Sequence, residues 1–502
     1  MNWKAVLKIL GKIFIAEAAM MLLPMIFAGV YGETTYWGFI LPMIVLLVMG
    51  IPTFFIKAEG EEMKIYAKEG FTIVAFAWLA MSAVGALPYV ITMAIPNYVD
   101  ALFETISGFT TTGASIIPTD TTLGLLTIED LPRSILFWRS FTNWIGGMGV
   151  LVFVLAVLPK ENSGIIHAFR AEATGPSVGK LTSKMGRTAR ILYAIYIALT
   201  LIEMLLLLIG DLPFFDALTT AIANAGTGGF SVKNASIGAY GSLYVEIVIT
   251  VFMFLFSVNF NLYYLILTGH VLKAIKSEEA IAFVLMVILA IFAIATNLCF
   301  STVKLITASG ELLPNTFGNA MRYSSFQVLS LSSTTGFSSI DYNSWPTLSK
   351  SILLFMMVVG GMAGSTAGGM KMSRFIILIK STAADLRRMV HPREIVTVKF
   401  EGEAVKQETI DTVRIYFVTW AAILIFAGLL ISIETYGDFL TNFSASLSCI
   451  SNIGPGFNLV GPAANFAGYS YFSKIILSIE MLFGRLEIFP LLALFSPATY
   501  NK

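Results

Sequence analysis

Four short segments rich in glycine and hydroxyl side chains recur along the 502-residue chain. They are Ser107 to Ser115, Asn224 to Ser231, Ser332 to Ser339 and Ser451 to Phe457, and in each a small or polar triplet leads into a glycine. The glycines Gly113, Gly228, Gly336 and Gly454 are almost evenly spaced. Such residues supply no nucleophile and no general base. They supply backbone carbonyl oxygens, and rings of carbonyls can replace the hydration shell of a permeating cation. Glycine at the turn point allows backbone angles that a Cβ resists. The candidate ligands are Thr111, Thr112 and Gly113, then Thr227 and Gly228, then Thr334, Thr335 and Gly336, then Asn452, Ile453 and Gly454. None of these side chains is ionised, which favours neutral dipoles and a monovalent ion.

Each loop follows a semi-apolar stretch too short to cross a bilayer, beginning near Asp100, Asp216, Tyr323 and Phe439. Segments of 10–14 apolar residues read as re-entrant. The repeated unit is therefore a helix, a short re-entrant helix, a glycine loop and a second helix. Non-helical backbone survives at membrane depth only inside protein or along a water-filled cavity, so four such loops imply one shared cavity. A single loop of this kind would read as a glycine-rich turn, but four at near-constant spacing do not. The segment Asn224 to Gly229 superficially resembles a dinucleotide loop, yet it lacks the preceding strand and the later acidic residue.

The surroundings agree. Apolar residues make up 56% of the chain and charged residues only 13%, against about 25% charged in soluble domains. Ten apolar runs of spanning length fall at about 8–30, 36–56, 71–94, 134–158, 190–210, 242–268, 280–303, 350–380, 411–433 and 473–497. The first follows Lys4, Lys8 and Lys12 but lacks a clean cleavage site, so it is expected to be retained. Nineteen Lys and Arg residues fall in segments 57–69, 159–190, 270–279 and 371–408, which predicts cytoplasmic loops and cytoplasmic termini. The alternate loops are acidic, either as ordinary solvated surface or as a vestibule that concentrates cations. A net charge of +1 gives nucleic acid no purchase, and two cysteines and three histidines without metal-ligand spacing argue against a metal centre.

The run after the third loop contains Gly360, Gly361, Gly364, Gly368 and Gly369, five glycines in ten residues. At about 1 kcal/mol each relative to alanine they interrupt a helix. Close packing through small residues is the plain alternative, and a Walker loop is excluded because no Gly-Lys-Ser or Gly-Lys-Thr follows. Ionisable residues within spans are costly and commonly functional. Arg139 and Arg485 stand out, with Glu480 and Glu487 as possible partners of Arg485, and with Glu203 and Glu246 as structural or interfacial groups.

The four loops, the stretch Phe137 to Gly149 and the stretch Gly484 to Phe489 together resemble the Trk, Ktr and HKT superfamily of cation transport subunits. Two extra helices before residue 60 are similar to its TrkH type. The resemblance covers nearly the whole chain. It implies an all-α polytopic membrane protein, with two N-terminal helices and four helix, pore-helix, helix repeats of pseudo-fourfold symmetry about one pore. The expected divisions are 1–69, 70–160, 161–269 and 270–382, then 383–502, with cytoplasmic linkers opening the second and fourth repeats. It implies potassium uptake, since the first-repeat serine that accompanies sodium preference in plant relatives is glycine here. Ile453 and Pro455 depart from the threonine-rich pattern and weaken the expectation of strict fourfold coordination.

The resemblance further implies that Gly360, Gly361, Gly364, Gly368 and Gly369 form a gating loop beneath the filter, with Arg485 facing the pore as part of the gate. It implies a homodimer on a cytosolic TrkA-like regulatory subunit that binds ATP, ADP or NAD, in a prokaryotic plasma membrane. By the same resemblance K⁺ is expected as the transported ion, with no organic cofactor in this chain. Symport with Na⁺ or H⁺ is the rival within transport. A membrane enzyme would need a clustered His and Asp or a Ser and Lys pair, and a receptor bundle would not need four re-entrant loops.

Overall fold

The computed structural model describes residues 1–56, 67–119, 126–149, 185–307 and 312–497. Lys57, Lys64, Asp120, Lys160, Arg170, Lys180, Lys184 and Glu311, with the later part of the expected fourth span, lie outside the described residues.

The elements are helices in sequence. An N-terminal group holds α1 (Trp3–Met20), α2 (Leu22–Val30) and α3 (Tyr36–Gly50). The first repeat holds α4 (Ala67–Gly85), α5 (Tyr98–Phe109) and α6 (Arg133–Met148), and the second holds α7 (Met185–Ile209), α8 (Phe214–Ala225), α9 (Leu243–Ser257) and α10 (Phe260–Leu267). The third holds α11 (Glu278–Cys299), α12 (Phe317–Ser332), α13 (Thr347–Val359) and α14 (Met372–Val390). The fourth holds α15 (Gln407–Ile431), α16 (Phe439–Ser451), α17 (Tyr471–Arg485) and α18 (Phe489–Phe495). Short helical turns and two small antiparallel hairpins connect these helices, the hairpins being β1 (Leu305–Ile306) with β2 (Leu312–Leu313) and β3 (Lys399–Phe400) with β4 (Glu403–Ala404).

Six described helical segments are long and apolar enough to cross a membrane, or seven if the pair α9 and α10 counts as one span. Val48, Leu205, Leu289 and Phe426 lie exposed along them, as a lipid-facing surface requires. The expected spans are interrupted at three places: the break in run 350–380 is the one its glycines predict, and the other two correct the expectation. Run 242–268 bends by 91° between Ser257 and Phe260, where Asn259 caps α10 through its side chain. Run 350–380 opens into a loop after Val359, where Gly360 takes a φ of 71°. Run 473–497 breaks at Leu486–Ile488.

The four short helices α5, α8, α12 and α16 hold 12, 12, 16 and 13 residues. At about 1.5 Å per residue they fall short of a hydrocarbon core of about 30 Å. Three of their N-termini are fixed by side-chain caps: Asn97 accepts from Val99 N and Asp100 N, Thr316 caps α12, and Asp438 accepts from Thr441 N. Their later turns are buried on nearly every face although rich in Ser and Thr. Several of the hydroxyls return to the helix backbone, as Thr105 does to Ala101 O, Thr110 to Ile106 O and Thr219 to Phe215 O. That satisfies these polar groups inside the protein.

Candidate functional site

Each short helix ends in the same backbone turn. Thr111, Thr227, Thr334 and Asn452 take left-handed φ values of 56°, 54°, 55° and 53°. The next residue then donates its N–H five positions back: Thr112 to Ser107 O, Gly228 to Ala223 O, Thr335 to Ser330 O and Ile453 to Ser448 O, at 2.8–3.0 Å. This is the 6→1 closure of a helix end on a left-handed residue. Two positions past that residue, Gly113, Gly229, Gly336 and Gly454 take positive φ values of 79°, 64°, 79° and 102°.

The glycine of the second loop is therefore Gly229, and Gly228 occupies the position of Thr112, Thr335 and Ile453. The expectation placed it one residue early. Gly226, Gly228 and Gly229 look alike in sequence, and only the turn selects among them. Gly229-Phe230-Ser231 and Gly336-Phe337-Ser338 are matching triplets, a signal that could have set the register.

The loops meet in a closed order. A Cβ placed on Gly113 would overlap the carbonyl oxygen of Gly228, one on Gly229 that of Thr335, one on Gly336 that of Ile453, and one on Gly454 that of Thr112. Each glycine is thus packed against a carbonyl of the next repeat, and the fourth returns to the first. Close approach and positive φ both exclude side chains here. Ile453 contributes a carbonyl like the others despite its apolar side chain, so the fourth loop keeps the shared backbone.

Several hydroxyls are engaged within the protein. Thr112 Oγ1 lies 2.8 Å from Thr110 Oγ1, and Thr335 Oγ1 lies 2.7 Å from Ser333 Oγ. Asn452 Nδ2 donates to Thr112 Oγ1 at 3.0 Å and to Met481 O at 2.9 Å. The carbonyls are the group common to all four repeats.

A buried ion pair supports the first two loops. Arg139 Nε donates to Glu104 Oε1 at 2.6 Å, and its Nη1 donates to Ser231 O at 2.7 Å, while the guanidinium lies 3.8 Å from the Phe230 ring centroid. Glu104 also accepts from Ile116 N and Ser115 Oγ. Charge and hydrogen bonds are satisfied together, which a buried pair needs.

The glycine segment lies directly against the third and fourth loops. Gly368 N donates to Thr334 Oγ1 at 2.6 Å, and Gly369 N donates to Ser451 O at 2.9 Å. Gly360, Gly364 and Gly369 take positive φ values, whereas Gly361 and Gly368 are held by close neighbours. Met362 N donates to Ser257 O and Thr366 Oγ1 to Phe256 O, so the bend between α9 and α10 packs against the loop. Arg485 joins the assembly from α17. Its Nη1 donates to Thr366 O at 3.1 Å, and its Nη2 donates to Gly146 O and Gly147 O at the end of α6. The glutamates considered as its partners have other bonds: Glu487 pairs with Arg374, and Glu480 accepts from Ser446 Oγ at 2.6 Å. Glu203 accepts from Asn224, and Glu246 pairs with Arg322 at 2.7 Å.

Lys371 and Arg374 open the basic segment 371–408, yet they are not surface charges. Both are buried, Lys371 donating to Ala367 O and Arg374 lying 4.0 Å from the Tyr416 ring centroid. Glu279, Asn259 and Asn143 also border these loops without any local motif to mark them.

Residues 39–501 match the family model described as TrkH, cation transport protein. The chain is 33% identical over its full length, and that of its relative, to the Trk system potassium uptake protein TrkH of Vibrio parahaemolyticus. It is 32% identical, again over both full lengths, to the protein of that name from Salmonella typhimurium. Its structure superposes on the crystal structure of the potassium transporter TrkH from Vibrio parahaemolyticus with a TM-score of 0.85, at 30% identity and with 100% of both chains covered. With an N-terminal helix group, four short buried helices whose loops close on one another, and this match along the chain, the protein belongs to the TrkH family of cation transport proteins.

Proposed function

We propose that the chain carries K⁺ inward across a prokaryotic plasma membrane, through the ring formed by Thr111 to Gly113, Thr227 to Gly229, Thr334 to Gly336 and Asn452 to Gly454. The observation that carries this reading is the cyclic packing of four glycines against four carbonyls. A ring of neutral dipoles suits a monovalent cation stripped of its water. The potassium uptake named for the relatives supports the choice of ion. Loop 360–371 is the gate, lying against the third and fourth loops, and Arg485 adds a fixed positive charge that opposes cation passage until the loop moves. The basic segments support cytoplasmic termini. The working unit is a homodimer on a TrkA-like cytosolic subunit, through which ATP, ADP or NAD would act.

Uptake coupled to Na⁺ or H⁺ is the second reading. Glu203 favours it, because a buried carboxylate bound to Asn224 sits at the base of the second loop. Uptake of ⁸⁶Rb⁺ into liposomes holding the purified chain, with ion gradients collapsed, separates the two. Uptake that persists and is blocked by K⁺ but not Na⁺ supports the uncoupled pathway, and uptake only with an imposed Na⁺ or H⁺ gradient supports coupling.

A further inference from the structure

One side chain holds both sides of loop 360–371. Glu279, the second residue of α11, accepts through Oε1 from Ala363 N at 2.8 Å and from Ser373 N at 2.9 Å. Ala363 precedes the stretch that touches Thr334 and Ser451, and Ser373 lies in the first turn of α14, beyond it. Glu279 is 4% exposed. A buried carboxyl oxygen of this kind is tolerated because the two backbone N–H groups replace the water it loses.

The same helix end is gripped from the other side. The β3–β4 hairpin pairs Lys399 with Ala404 and Phe400 with Glu403, leaving Glu401 and Gly402 as a two-residue turn with φ values of 52° and 80°. Positive φ at both positions marks a type I′ turn, whose twist matches the strands. It presents the Glu401 carboxylate to the start of α11. Glu401 Oε1 accepts from Ser277 Oγ at 2.7 Å and from the backbone N–H of Glu279 at 3.1 Å, which satisfies free donors at the helix N-terminus. Glu401 N donates to Glu278 Oε2 at 3.3 Å, and Lys380 pairs with Glu278 while donating to Lys399 O at 2.9 Å. An unbroken chain of contacts runs from the hairpin through the first turn of α11 to the loop.

We propose that Glu279 is the positioning residue of the gate loop and that the β3–β4 hairpin, through Glu401, holds Glu279 in place. The proposal rests on the reading of loop 360–371 as the gate. Displacing the hairpin shifts the first turn of α11, withdraws Glu279 Oε1 from both amides, and frees the loop on either side of its contact with the ring. A push on a small hairpin thereby reaches the conduction path.

The test uses the full chain in liposomes, with Ser365→Cys added as a reporter whose labelling by a thiol reagent is read by mass spectrometry. Glu279→Ala removes the acceptor, whereas Glu279→Gln keeps an oxygen able to accept both bonds. Glu279→Ala should raise labelling and ⁸⁶Rb⁺ flux by about tenfold, the scale of losing hydrogen bonds to a charged group. The K⁺ over Na⁺ ratio should not change, and Glu279→Gln should restore both readouts. Glu401→Ala, altering an exposed turn, should give a smaller rise in labelling even if Glu279→Ala folds poorly. Labelling that rises without flux supports the clamp and removes the gate reading beneath it. Labelling unchanged in Glu279→Ala, or raised equally in Glu279→Gln, overturns the clamp, and labelling unchanged in Glu401→Ala overturns the role of the hairpin.

Discussion

Asn452 donates from Nδ2 to Thr112 Oγ1 at 3.0 Å across 340 positions of sequence, tying the fourth loop to the first. Asn452 also sits at a φ of 53°, a value asparagine tolerates better than most side chains. Asn452→Gly keeps that backbone and deletes the tie. We expect flux to persist while the K⁺ over Na⁺ ratio falls about fivefold, the scale of one buried hydrogen bond. A ratio equal to that of the parent would show that the tie does not shape the ring.

The second loop separates two adjacent glycines. Gly229→Ala sets a Cβ against the Thr335 carbonyl oxygen at a φ of 64°, and backbone cannot move aside cheaply. Gly228→Ala meets the side-chain amide of Asn143, which can turn away. Gly229→Ala should reduce ⁸⁶Rb⁺ uptake at least about tenfold and Gly228→Ala much less, the difference being that between backbone strain and a side-chain adjustment. Equal effects would contradict the assigned register.

Arg485 spans from the loop to the end of α6 through Thr366 O, Gly146 O and Gly147 O. Arg485→Ala removes both the positive charge and these bonds, so leak flux should rise by about tenfold. Deleting Gly364 to Gly369 should raise it as well. Flux below that of the parent in well-folded Arg485→Ala would assign the arginine to bundle stability.

Breaking the pair of Arg139 and Glu104 leaves an uncompensated buried charge. Arg139→Leu should lower the unfolding free energy by about 3–5 kcal/mol, read as a lower unfolding midpoint in detergent. An unchanged midpoint would contradict the role of the pair in joining the first two loops.

The four repeats were legible because short polar helices followed by glycine have few other uses in an apolar chain. The register of the second loop was not, since three glycines in Gly226 to Gly229 differ only in dihedral angles. The bend after Ser257 hid for another reason: Val258 keeps the run apolar, and the cap from Asn259 is a local geometry that hydropathy does not weigh. Lys371 and Arg374 followed the charge rule for loops, yet the groups that bury them include Glu487, more than a hundred residues away. Arg485 was found as a costly charge in a span, but its carbonyl partners come from α6 and from the glycine loop.

The central claim is that cations are selected where each glycine abuts the carbonyl of the next loop. Gly113 is the sharpest test, since its φ of 79° and its contact with Gly228 O leave no room for a side chain. The measurement is the K⁺ over Na⁺ ratio of ⁸⁶Rb⁺ uptake competition in liposomes, parent against Gly113→Ser. The account predicts that the parent prefers K⁺ and that this preference is largely lost in the variant; a folded Gly113→Ser protein with the parent's ratio would contradict it.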